Sequence, residues 1–122
     1  MSYTAFEYSN LQLNKNNITQ KDTAVVSCTI KNTGHKAGDE VVQLYIHDVV
    51  ASVSRPVMEL KGFQRIHLNA GESKTIAFTI IPGMLSMLNK DLQTVIEPGD
   101  FRIMIGASSR DIRLKETLMV NE

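Results

Sequence analysis

Apolar residues recur at every second position along most of the chain, the spacing of a strand with one face on a core. Ala24, Val26, Cys28 and Ile30 alternate with Thr23, Val25, Ser27 and Thr29. Val42, Leu44 and Ile46 alternate with Val41, Gln43, Tyr45 and His47, and Ile76, Phe78 and Ile80 with Thr75, Ala77 and Thr79. Phe101, Ile103 and Ile105 continue the pattern around Arg102 and Met104. Weaker alternation predicts strands from Tyr3 to Tyr8, Leu60 to Leu68, Leu92 to Ile96 and Ile112 to Val120. No segment carries a sustained helical stripe, and Met84 to Leu88 offers one helical turn at most.

The breaks between these runs have turn chemistry. Asn32-Thr33-Gly34 and Ala37-Gly38-Asp39 bracket one loop, and Lys15-Asn16-Asn17 reads as a polar turn. Asn69-Ala70-Gly71-Glu72 reads as a tight hairpin in which Gly71 takes a positive φ. Glu97-Pro98-Gly99-Asp100 places Pro second and Gly third, the type II arrangement. Seven to eight short strands without helices between them predict an all-β, immunoglobulin-like or fibronectin type III-like antiparallel sandwich. The absence of tryptophan and of a cysteine pair argues against an antibody-type domain and favours the fibronectin type III-like form.

The chain has 122 residues, a length that suits one domain, with its core expected over about residues 3–120. Thirteen basic and thirteen acidic residues cancel, which argues against nucleic acid or an acidic membrane as partner, since either needs a basic face. One cysteine makes neither an internal disulfide nor a multi-thiolate metal site. It fits a periplasm and a cytoplasm alike. No apolar run approaches the roughly 18 residues of a membrane-spanning helix.

The residues that could carry chemistry do not assemble into a site. Asp39 and Glu40 are adjacent in a strand and should point to opposite faces, while Glu97 and Asp100 flank a turn. Ser52, Ser54, His47 and Asp48 supply triad residue types without a Gly-flanked nucleophile turn. His35, His47 and His67 are scattered singly, with no metal-ligand spacing. Cys28, in phase with Val26 and Ile30, reads as a small buried hydrophobe. Gly106-Ala107-Ser108-Ser109 lacks the lysine and helix of a phosphate loop, and Asn17-Ile18-Thr19 is a glycosylation triplet of the kind that chance supplies. No catalytic, cofactor-binding or metal-binding residue is expected.

Two aromatics raise binding instead. Tyr45 lies in the polar phase of its strand, as an exposed platform for oligosaccharide or as outer-face packing. Phe63 is out of phase with Leu60, Ile66 and Leu68. Either a bulge at Gly62 returns it to the core, or it projects from the outer face beside Val41 and Tyr45.

Residues 38–45 (Gly-Asp-Glu-Val-Val-Gln-Leu-Tyr) and 54–65 (Ser-Arg-Pro-Val-Met-Glu-Leu-Lys-Gly-Phe-Gln-Arg) closely resemble the C-terminal fibronectin type III-like domain of family 3 glycoside hydrolases. Residues 70–74, 97–101 and 106–109 extend the resemblance in order from Tyr3 to about Leu114. Residues 2–9 resemble the segment that leads into this domain, so an enzyme is expected upstream. The resemblance implies a parent of β-glucosidase or β-xylosidase type that hydrolyses glycosidic bonds with retention. Its aspartate nucleophile and glutamate acid/base would lie on other domains, so no catalytic residue carries over to this chain. The domain itself would be a non-catalytic accessory that packs on the catalytic domains of its own chain. Arg55, Pro56, Glu59, Leu60, Lys61, Phe63 and Tyr45 are the candidate interface. The alternatives are a stand-alone carbohydrate-binding module and a protein–protein assembly module. The chain departs from relatives by carrying Leu85, Met87, Leu88 and Leu92 to Ile96 where aromatics are usual.

Overall fold

A computed structural model of the chain describes residues 5–48, 59–88, 91–96 and 98–121. The strands are β1 (Phe6–Leu13), β2 (Asn17–Thr19), β3 (Ala24–Asn32), β4 (Gly38–Asp48), β5 (Glu59–Leu68) and β6 (Ser73–Ile80). After a single helical turn, α1 (Pro82–Leu85), come β7 (Met87–Leu88), β8 (Thr94–Val95), β9 (Gly99–Ser108) and β10 (Asp111–Asn121). One sheet has the order β1-β3-β6 and the other β2-β10-β9-β4-β5, with β7 and β8 forming a small ribbon. The pairings are antiparallel, except that β2 runs parallel to β10. The eight strands of the two larger sheets make the expected all-β sandwich.

The period-two residues explain it. Ala24, Val26, Cys28 and Ile30 from the first sheet bury with Val42, Leu44, Ile46, Phe101, Ile103 and Ile105 from the second, in one shared core. A one-residue slip would turn either set into solvent, so the pattern specifies the register. The open sides of the sandwich are stitched by side chains. Gln64 Nε2 donates to the Ala77 carbonyl, joining β5 to β6, and Arg113 donates to the Phe6 carbonyl at 2.8 Å, joining β10 to β1.

Several local expectations shift. The first strand runs over Phe6–Leu13 and so continues past Tyr8, where a register break between Ser9 and Gln12 interrupts its alternation; Tyr3 and Thr4 lie outside the described residues. Asn10 sits there at φ +55°, a conformation that asparagine tolerates. The helical turn starts at Pro82, whose fixed φ suits the first helical position, and Met87–Leu88 instead pair with Thr94–Val95.

The turn at Asn69–Glu72 forms as expected, with Gly71 at φ +80° and the Glu72 N–H donating to the Asn69 carbonyl at 2.9 Å. It is not a hairpin, however, because β5 and β6 belong to different sheets. Asn32 explains the corner. Its backbone exchanges hydrogen bonds with Glu72 and Gly71, each 2.9 Å, and its Nδ2 donates to the Leu68 carbonyl at 3.0 Å. The end of β3 therefore holds both arms of the turn. Gly99 also takes a positive φ, +140°, while Glu97 lies outside the described residues.

Candidate docking surface

The outward faces of the two sheets differ. On the three-stranded sheet, outward positions of β1, β3 and β6 include Ser9, Ser27, Thr29, Thr75, Ala77 and Thr79, small and mostly hydroxylic. On the five-stranded sheet, one cross-strand row runs Leu60, Tyr45, Met104, Lys115, and the next includes Phe63, Gln43 and Gly106. Apolar side chains thus gather on the outward side of β4, β5 and β9.

The backbone of β5 explains why both Leu60 and Phe63 reach that side. Leu44 pairs with Gly62, but its neighbour Tyr45 pairs with Leu60, so Lys61 is an extra residue in the ladder. The bulge exists, yet it turns Leu60 outward and leaves Phe63 outward too. Gly62 faces inward, where a Cβ would meet the Phe78 ring at 3.5 Å. Phe63 is 66% exposed, Leu60 50% and Val41 37%, whereas Tyr45 and Met104 are 8% and 6% exposed. Tyr45 is therefore outer-face packing, its hydroxyl donating to Gln43 Oε1, and not an open platform for a sugar ring.

Ionic groups flank Phe63 along the same strand. Lys61 Nζ lies 3.0 Å from Glu59 Oε2. Arg65 donates from Nε and Nη2 to one oxygen of Asp39, at 3.1 and 2.7 Å, and His67 Nδ1 lies 2.6 Å from the other. Hydrogen bonds from His67 and then Arg65 hold the Asp39 carboxyl below the usual carboxylate range. Arg55 and Pro56, candidates for the same surface, lie outside the described residues, as do Ser52 and Ser54.

The other chemistry-bearing residues are dispersed. Asp39 and Glu40 do point to opposite faces, and Glu40 accepts a 3.0 Å hydrogen bond from the Tyr8 hydroxyl between the sheets. Burial, and then the Glu40 charge, push the Tyr8 phenol well up, while Arg113 stands 5.1 Å over its ring. Cys28 is buried, which raises its thiol to about 11 and keeps it protonated at neutral pH. Among the described residues no three His, Cys, Asp or Glu side chains group as metal ligands, and no helix is long and apolar enough to cross a membrane.

Two parts of this surface were not read from the sequence. Met104 is an apolar residue in the polar phase of its strand, a signal of outer-face packing. The Asp39 group joins residues 26 and 28 positions apart, and only the β4–β5 register brings them together.

Residues 40–109, more than half of the chain, match the family model of the fibronectin type III-like domain. The chain is a fibronectin type III-like domain. Thermostable β-glucosidase B of Acetivibrio thermocellus is 46% identical to this fibronectin-like chain over 99% of its length. A β-xylosidase of Formosa agariphila is 47% identical over 94% of it. The chain spans only 16% of each of these relatives. The solved β-glucosidase of Listeria innocua in complex with glucose superposes on the whole domain with a TM-score of 0.89 and 40% identity, the domain covering 17% of that chain. A Bifidobacterium adolescentis β-glucosidase gives 0.88 at 32% identity, over 98% of this chain and 18% of that one. Relatives of this fibronectin-like domain are thus small parts of much longer hydrolases.

Proposed function

We propose that the chain is a non-catalytic accessory domain of a family 3 glycoside hydrolase of β-glucosidase or β-xylosidase type. It packs against the catalytic domains of its own polypeptide and stabilises them. Hydrolysis of the glycosidic bond belongs to those other domains. The observation that carries the reading is the contrast between the two outer faces: one is hydroxylic and suited to water, the other exposes Phe63, Leu60 and Val41 together. Contiguous apolar surface of that kind marks a contact site. Glu59, Leu60, Lys61 and Phe63 form its edge and Tyr45 its floor, with Arg55 and Pro56 assigned to it from the sequence alone.

The test uses the full-length native enzyme. Phe63→Ser removes the most exposed apolar side chain of this face without touching the core, so the melting temperature should fall, with activity lost earlier on heating. A variant with unchanged melting temperature and activity removes this face from consideration. Turnover of an aryl β-glucoside by the 122-residue chain alone would overturn the non-catalytic assignment.

A further inference from the structure

The flanks of Phe63 say what kind of contact this face makes, an inference that rests on the docking reading above. Along β5, the ring stands between two groups that are already paired within the chain, Lys61 with Glu59 on one side and Arg65 with Asp39 on the other. A partner can cover such pairs without supplying a counter-charge, and it leaves no lone ion buried. Arg102 and Lys115, which have no ion-pair partner among the described residues, sit across the sheet on β9 and β10. The centre of the face is apolar and its near rim is electrically closed.

Size decides the occupant. The exposed parts of Phe63, Leu60 and Val41 amount to on the order of 300 Å². A stable interface between separate proteins buries about 800 Å² on each side, roughly 450 Å² of it apolar. A patch this small holds two free chains together poorly. Within one polypeptide the effective concentration reaches the millimolar range, where a single good anchor is enough. The relatives' lengths, about six times that of this domain, supply such a polypeptide.

We infer that Phe63 is a tethered anchor: its ring enters an apolar pocket on the larger remainder of the same polypeptide, in a contact that salt does not weaken. Such an arrangement has one dominant side chain ringed by near-neutral contacts that exclude water.

The experiment compares the full-length native protein with its Phe63→Ser, Phe63→Leu and Asp39→Asn variants, each at 0.1 and 1 M sodium chloride. The readouts are amide hydrogen exchange of β5, melting temperature and sedimentation. Phe63→Ser should speed exchange at β5 by about tenfold or more, and Phe63→Leu should retain most of the protection. The native protein should show equal protection at both salt concentrations. Asp39→Asn, which frees the Arg65 charge, should make protection salt-dependent. No effect of Phe63→Ser would sink the docking reading itself. If Phe63→Ser loosens β5 but 1 M salt loosens the native protein equally, docking stands and the apolar anchor is overturned. Dissociation of a dimer by Phe63→Ser would assign the face to a second copy and overturn the tethered anchor.

Discussion

Asn32 is fully buried, and its side chain has a partner for each group. Nδ2 donates to the carbonyls of Lys36 and Leu68 at 2.9 and 3.0 Å, and Oδ1 accepts from the Gly34 N–H at 2.9 Å. Asn32→Asp keeps the shape but sets a carboxylate against two carbonyl oxygens. We expect a loss of about 2–4 kcal/mol in urea unfolding of the domain, since a buried polar group would lose its partners and gain repulsion. Two glycines make a second test at this scale. A Cβ at Gly106 would lie 2.3 Å from the Asp111 carbonyl oxygen, a backbone atom that cannot swing aside. At Gly62 the nearest atom is a Phe78 ring carbon at an ordinary 3.5 Å. Gly106→Ala should therefore cost more than about 2 kcal/mol, while Gly62→Ala stays within about 1 kcal/mol of the native domain and gains from a stiffer unfolded chain. Equal midpoints for the two variants in denaturant would contradict that reading.

Among the elements, β2 depends on one residue. It is three residues long, yet Ile18 is buried in the core and the strand extends the five-stranded sheet along β10. Ile18→Ala leaves a cavity under the sheet edge, with an expected cost of about 2–4 kcal/mol. Hydrogen exchange should quicken first at Met119 to Asn121, the residues β2 pairs with. The same scale shows what sequence pattern can and cannot report. β3, β4, β6 and β9 were legible because several apolar residues alternate over a half-buried strand. β2 was not, because one apolar residue has no period. The bulge in β5 appeared as a parity conflict between Leu60 and Phe63, but its position at Lys61 and its outcome depend on the partner strand β4. The β5–β6 corner looked like a hairpin because a turn motif encodes chain reversal, not the sheet that receives the next strand.

For the whole molecule, the charges on its surface set the response to acid. Hydrogen bonds hold the carboxyls of Asp22, Asp39 and Asp111 below their ordinary range, donated by Thr19, by His67 and Arg65, and by Arg113 respectively. A depressed folded-state value means that the unfolded chain takes up protons first as pH falls. The stabilisation is complete above about pH 4, the unfolded carboxylate range, and is lost as pH drops through the lower folded values. Melting temperature should therefore fall below about pH 4, and Asp39→Asn, Asp111→Asn and Asp22→Asn combined should flatten that fall. A triple variant with an acid limb as steep as the native one would show that other groups control it. Cys28 acts at the opposite limit. Its thiol is raised to about 11, so it favours the folded state below about pH 8.5 and ceases to do so as pH rises towards 11.

The chain's alternating apolar residues by themselves determined the fold class, because each strand's inward face is written locally as a period of two. The ordered motifs of residues 38–45, 54–65, 97–101 and 106–109 determined the fibronectin-like family in the same local way. Only the tertiary structure decided which outer face is apolar. Whether Phe63 and Leu60 share a side depends on a bulge relative to β4, and whether Tyr45 is open depends on side chains packed beside it from other strands. Likewise, Asp39 meets Arg65 and His67 only once the β4–β5 register is set. Contacts between strands distant in sequence are properties of register, and register emerges when the whole sandwich closes over its core.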